Sequence, residues 1–265
     1  MTVEPIPDTE SEISAAADIL TTEFERITNE IEAFERFEKK VSQIDSAPDN
    51  VGSVTGVGYQ QVSTKNRCLE VRTAYKETVM SVSHYEDEYS DTYPLSIKEE
   101  FGTDIAIALT KSSNFTPASK SALLDSIQAS INERKRLRDV VLSEKESITT
   151  AHDSLYIITR NINEISNHEF KHLDFGALDA YRAQTTVLLE KCDQIGLTRQ
   201  DKIDKIQNKM SVDTPGLNIH EYFYQSLSTN YPILSAIGKI GERINSLEED
   251  IHTAIIYSNF QLKTY

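Results

Sequence analysis

One short motif in this sequence has residue types and spacing suited to metal chemistry. His168, Glu169 and His172 form an H-E-x-x-H pattern. Two histidines four residues apart on an α-helix face the same side and can bind Zn²⁺, while the intervening glutamate activates a water molecule. Glu190 or Asp174 could supply a third protein ligand. The motif therefore makes a zinc-dependent hydrolase one alternative function.

The surroundings of the motif favour a simpler interpretation. The motif lies where two long predicted helices are joined, and no predicted strand could form the cleft wall along which a peptidase aligns its substrate. Lys171 also places a positive charge between the two candidate ligands. We therefore interpret the motif as a solvated helix tip, and we expect no cofactor.

A second group with functional potential is the densest positive run in the chain, Arg134, Lys135, Arg136 and Arg138. Such a run could bind an acidic partner or nucleic acid, so a regulatory binding module with a basic helix face is the second alternative. An acidic residue flanks the run on each side, which favours a solvated helix face.

The overall composition is acidic. The chain has 42 acidic and 27 basic residues and a formal net charge of −15, which repels phosphate backbones and anionic lipid surfaces. Nucleic acid is therefore disfavoured as a partner. The two cysteines, Cys68 and Cys192, indicate reduced thiols in a cytoplasmic protein rather than a disulfide framework. We also expect no secretion signal and no membrane span, because no apolar run is long enough.

Long helices must position these residues, because apolar side chains recur at steps of three and four along much of the chain. The clearest run extends from Ile127 to Ile165, with only Arg134 and Glu144 interrupting it. This spacing predicts a coiled-coil seam. No stretch alternates with period two for long enough to form a sheet. The predicted fold is all-α, an elongated antiparallel helical bundle or coiled-coil hairpin with additional shorter helices.

The same periodicity divides the chain into three parts. Residues 1–45 are predicted to form an N-terminal long helix, and the polar, glycine-containing residues 46–63 a flexible linker. Residues 64–265 are predicted to form a helical bundle built on an antiparallel hairpin over 117–210. The predicted N-caps of three helices are Thr116, Asp174 and Asn218.

Two polar residues inside the predicted seam are expected to pair. Folding the hairpin about residue 170 places Arg199 opposite residues 141–144, and Arg134 opposite Ile206. We therefore expect Arg199 to meet Glu144, and we assign Glu144, Arg199 and Arg134 to a structural polar layer that fixes register. The alternative is that these side chains reach solvent at the edge of the seam.

Several segments of the chain carry a resemblance to a known family. They are Tyr75–Met80 with His84–Glu86, Asn114–Pro117, Glu144–Ile148, Arg199–Gln200, and Glu221–Tyr224 with Tyr231–Leu234. Over residues 10 to 260 the chain resembles a haloarchaeal family described as a domain of unknown function. The resemblance implies a haloarchaeal cytoplasmic protein with coiled-coil helices, and it implies no particular activity, cofactor or catalytic residue.

These observations together predict a non-enzymatic coiled-coil protein that serves as an interaction or assembly scaffold. Its partner would be another protein or a second copy of the same chain. The heptad pattern leaves open whether the seam pairs within one chain or between two chains, because both arrangements satisfy the same spacing.

Overall fold

The protein is described by a computed structural model over residues 7–46, 67–111, 114–211 and 218–262. Within these residues the chain forms α-helices and two short 3₁₀ turns and contains no strand, which confirms the all-α prediction. The helices, in chain order, are α1 (Pro7–Gln43), α2 (Arg67–Thr78), α3 (Tyr85–Glu88), α4 (Tyr93–Phe101), α5 (Thr103–Thr110), α6 (Pro117–Ser166), α7 (Phe175–Ser211), α8 (Ile219–Tyr224) and α9 (Pro232–Leu262).

Two further sequence predictions concern the linker and the membrane. Residues 47–63 of the predicted linker lie outside the described residues. Among the helices that are described, none has a stretch that is both long enough and apolar enough to cross a bilayer.

The described chain divides into two compact units. The first unit is Glu23–Asp139, and the second unit combines Met1–Thr22 with Val140–Tyr265, each as far as it is described. The long helices α1 and α6 contribute residues to both units.

The predicted N-caps of α6, α7 and α8 are present. The Thr116 hydroxyl accepts a hydrogen bond from the Ser119 amide at 3.1 Å, and the Asp174 carboxylate accepts one from the Ala177 amide at 3.0 Å. The Asn218 side chain accepts two backbone amides of α8. Each cap pairs an amide that has no partner within its helix, so it fixes where the helix begins.

The core of the first unit is built around aromatic rings. Phe37 from α1 lies 5.1 Å from the Tyr75 ring of α2, and Phe101 of α4 lies 6.0 Å from the same ring. Phe34 joins them at 6.3 Å from Phe101. The Tyr75 hydroxyl is paired with the Ser96 hydroxyl at 2.8 Å, so this large ring is buried without an unpaired polar atom.

The core of the second unit contains a regular buried stripe on α7. Every seventh residue of this helix is buried, and the members are Leu178, Thr185, Cys192, Arg199 and Ile206. Helix α9 packs along α7 and buries Ile240, Ile244 and Ile251 in the same unit. One position of the α7 stripe is thus occupied by a charged residue rather than an apolar one.

Candidate functional site

The charged position of this stripe belongs to a buried polar cluster in the second unit. Arg199 of α7 donates two hydrogen bonds to Glu144 of α6, from Nη2 to Oε1 at 2.5 Å and from Nη1 to Oε2 at 2.9 Å. The side chains are 1% and 0% exposed. A guanidinium and a carboxylate joined by two hydrogen bonds form a strong ion pair with a specific geometry. The structure therefore brings together the two residues that the hairpin register placed opposite each other.

Three further side chains complete this cluster. The Tyr224 hydroxyl donates to Glu144 Oε1 at 2.7 Å, and the Ser147 hydroxyl accepts from Arg199 Nη1 at 2.9 Å. His220 Nε2 lies 3.7 Å from Glu144 Oε2, too far for a hydrogen bond. Tyr224 and His220 both belong to α8, and neither is predicted from the sequence to take part in this cluster. A six-residue helix carries no periodicity that would show which side chains face a buried carboxylate.

The electrostatics of this cluster fix the protonation states of Glu144 and Tyr224 near neutral pH. Burial alone would raise the pKa of Glu144, but its neighbours His220 and Arg199 outweigh burial and lower that pKa to about 2. Burial raises the pKa of Tyr224, and the nearby Glu144 carboxylate raises it further. Glu144 is therefore ionised and Tyr224 protonated at neutral pH, whereas a general acid or base works best with a pKa near the working pH.

A second polar cluster lies in the first unit and is centred on Arg134 of α6. Its Nε donates to Glu30 Oε2 at 2.7 Å, and its two Nη atoms donate to Glu100 at 2.7 and 3.0 Å. The guanidinium also lies 4.2 Å from the centre of the Phe34 ring. Arg134 is thus held on three sides within the first unit. The hairpin register predicted a place for Arg134 in the Glu144–Arg199 layer, but that register takes no account of α1 and α4, which supply the carboxylates that Arg134 binds.

Two more groups bind the Glu30 carboxylate. His84 Nε2 and the Tyr89 hydroxyl lie 3.0 and 2.9 Å from Glu30 Oε1. Burial would raise the pKa of Glu30, but the Arg134 charge and these hydrogen bonds together lower it. Glu30 therefore stays ionised in the folded protein.

Among the described residues, Glu30, His84 and Glu88 offer atom types that can bind a metal ion, and these ligand atoms all lie within 4.8 Å of one another. Both carboxylates already have a cation, since Arg134 binds Glu30 and Arg26 forms an ion pair with Glu88. Each guanidinium contacts its carboxylate here through a single nitrogen. The arrangement is an ion-pair network in which both carboxylates already have a counter-charge.

The H-E-x-x-H motif does not lie on an α-helix. Helix α6 ends at Ser166, and Phe170–His172 form a single 3₁₀ turn that begins after Glu169. The His168 ring packs 5.0 Å from the Tyr181 ring, while His172 Nε2 lies 3.5 Å from the exposed Glu169 carboxylate. The expected helix tip is therefore a turn, and the two imidazoles are not held on one helical face. Asp174, a candidate third ligand, caps α7 instead.

The basic run is partly occupied by internal ion pairs. Arg134 is held in its cluster, and Lys135 Nζ pairs with Glu35 Oε1 at 3.0 Å. Arg136 and Arg138, the remaining members, lie on the same stretch of α6. The pairing of Arg134 and Lys135 reduces the positive charge that the run can offer to an acidic partner.

Comparison with known proteins identifies the family of the chain. Residues 11–248 match a family described as Domain of unknown function (DUF7260), which covers most of the sequence. The chain therefore belongs to this family, and the predicted resemblance to a family of unknown function is confirmed. No curated protein and no solved structure matches the chain.

Proposed function

We propose that this DUF7260 chain is a non-enzymatic helical protein that serves as an interaction or assembly scaffold, with its long helices acting as coiled-coil elements. The observation that carries the proposal is the surface of α7. This helix buries Leu188 and the stripe of every seventh residue inside its own unit, yet Val187 and Leu197 remain 47% and 62% exposed. Large apolar side chains outside the internal stripe suit contact with a further helix.

The two polar clusters, the buried one around Glu144 and the partly buried one around Arg134, support a structural role. Glu144 and Glu30 are ionised and bound by arginine, so neither is poised to exchange a proton near neutral pH. Burial also raises the pKa of the Cys192 thiol to about 11, which keeps it in the unreactive protonated form. These groups suit the fixing of helix positions rather than the turnover of a substrate.

We further propose a cytoplasmic location in a haloarchaeal cell, as the family resemblance implies. Cys68 and Cys192 are both buried and unpaired, as expected in a reducing compartment. The net charge of −15 fits a protein that must stay hydrated in concentrated salt.

The test is native mass spectrometry of the purified full-length chain over a range of concentrations, recording oligomer mass and bound metal together. We expect an assembly of more than one chain without stoichiometric metal. One zinc per chain that is lost in His172→Ala would favour the hydrolase alternative. A monomer at every concentration would overturn assembly through self-association.

A further inference from the structure

The first unit contains a partly open cavity with a volume of about 120 Å³. Its apolar lining includes Ala33, Val79 and Val82, and the carboxylates of Asp91 and Glu99 line it as well. At roughly 30 Å³ for each water molecule, this volume holds about four waters or one short alkyl chain. A concave site with apolar walls and a few polar groups is the usual form of a small-ligand site in proteins.

One buried polar atom at this cavity has no partner in the fold. Tyr85 lines the cavity and is 3% exposed, and its hydroxyl makes no hydrogen bond within the described residues. The nearby Ser96 hydroxyl is paired with Tyr75 at 2.8 Å instead. Burial raises the pKa of Tyr85, Ser96 lowers it and the Asp91 charge raises it, so the hydroxyl lies near two residues of the cavity lining. A buried hydroxyl without a partner costs free energy, which a ligand that bonds to it would recover.

The lining of the cavity is also acidic. Among the described residues it includes one guanidinium and four carboxylates, which are Arg134, Glu30, Asp91, Glu99 and Glu100. Two of these carboxylates share Arg134, and Glu99 has the exposed Lys98 at 3.5 Å. Asp91 is half-buried and has no hydrogen bond or ion pair within the part of the chain that the structure describes. The cavity therefore offers a carboxylate without a counter-charge beside a hydroxyl without a partner.

We propose that this cavity binds a primary alkylammonium group, a ligand that the scaffold function does not require. The ammonium supplies the charge that Asp91 lacks, and its N–H donors suit the Asp91 carboxylate and the Tyr85 hydroxyl oxygen. The alkyl chain packs on Ala33, Val79 and Val82, as the stems of lysine side chains pack along apolar surfaces. A bare metal ion would leave these apolar walls uncovered, and a neutral ligand would leave the Asp91 charge unmatched.

The test is isothermal titration calorimetry of the purified full-length chain with n-butylammonium chloride at fixed ionic strength. We expect saturable binding of one ligand per chain. Tetramethylammonium has the same charge but no N–H donor, and K⁺ has no alkyl chain, so both should bind at least about tenfold more weakly. Equal binding of all three cations would indicate general attraction to an acidic surface and would overturn the proposal.

A second titration distinguishes the two sources of such a group, a free amine and a lysine side chain of another protein. It uses a short peptide with blocked ends and a single lysine. Binding of butylammonium alone would assign the site to a free amine, and binding of the peptide would assign it to a partner's lysine. The absence of saturable binding of both ligands would overturn the proposal.

Two variants locate the ligand. Asp91→Asn removes the unmatched charge and should weaken binding of butylammonium at least about fivefold. The matched control is Asp87→Asn, which makes the same change at an exposed residue of α3 outside the cavity and should leave binding unchanged. Tyr85→Phe removes the hydroxyl oxygen alone and should weaken binding about threefold or more. Unchanged binding in Asp91→Asn would overturn the assigned site.

The stability of Tyr85→Phe separates a ligand-binding hydroxyl from a structural one. Because this hydroxyl has no partner in the fold, its removal should leave the free energy of unfolding in urea unchanged or slightly raised. A loss of stability in Tyr85→Phe would mean that the hydroxyl already bonds within the protein, and that result would also overturn the assigned site.

Discussion

The buried Glu144–Arg199 pair should contribute strongly to stability, and only as a pair. Arg199→Met leaves an ionised carboxylate in the core with Tyr224 as its remaining hydrogen-bond donor, and removing one partner of a fully buried pair costs about 3–5 kcal/mol. Folding lowers the pKa of Glu144 from 4.5 to about 2 through His220 and Arg199 together, which corresponds to about 3 kcal/mol of stabilisation at neutral pH for the cluster as a whole.

The double variant Glu144→Met with Arg199→Met separates the pair from its parts. It removes both charges and leaves apolar side chains of similar size, so it should cost less than either single substitution, with a coupling of about 2 kcal/mol or more. The assay is urea unfolding at pH 7 followed by far-ultraviolet circular dichroism. The matched control is Arg160→Met, which removes an exposed partner of Glu164 on the same helix and should cost less than about 1 kcal/mol.

Two results would refute this reasoning. In the first, Arg199→Met costs no more than Arg160→Met, which would mean that the buried carboxylate finds other compensation. In the second, the double variant costs the sum of the two single substitutions, which would mean that the residues stabilise the fold independently.

Two further predictions concern pH and the first unit. Folding lowers the pKa of both Glu144 and Glu30, so the stability they contribute is present above their unfolded pKa near 4.5 and is lost as pH falls toward 2. The urea concentration at the unfolding midpoint should therefore decrease as the pH is lowered from 5 to 2.5, and this decrease should be smaller in Glu144→Gln. An equally large decrease in that variant would contradict the assignment of this stability to Glu144. Arg134→Met should lower the free energy of unfolding by about 2 kcal/mol, because Glu30 and Glu100 then lose their shared cation in a partly exposed setting. The control is Lys135→Met, which should lower the free energy of unfolding by less. Equal costs would contradict the central role of Arg134.

How much the sequence can predict depends on which helices supply the contact. Glu144 and Arg199 lie on two long helices joined by a short turn, so folding the hairpin at its middle places them together without knowledge of the rest of the chain. Tyr224 and His220 come from the short helix α8, and Arg134 receives its partners from α1 and α4. These contacts depend on how separate elements pack, which heptad spacing along one helix does not encode.

The H-E-x-x-H motif is a second case in which the sequence pattern does not determine the local structure. Its residues can bind a metal ion together only when four residues make about one turn of an α-helix, because that geometry aligns the two imidazoles. Here α6 ends at Ser166, and the motif falls in the turn that reverses the chain toward α7. The aromatic contact between His168 and Tyr181 then packs that turn onto the start of α7.

The position of Arg199 in the α7 stripe has a consequence for register. Its neighbours in the stripe, one heptad away on either side, are Cys192 and Ile206, neither of which can neutralise a carboxylate. A slip of α7 by one heptad would keep the apolar pattern but leave Glu144 buried opposite one of them, at a cost of about 3–5 kcal/mol. If apolar residues stood at positions 144 and 199, the fold would tolerate this slip of α7. The ion pair therefore distinguishes between registers that the hydrophobic pattern alone leaves nearly equal, which is the use of buried polar groups best attested in coiled coils.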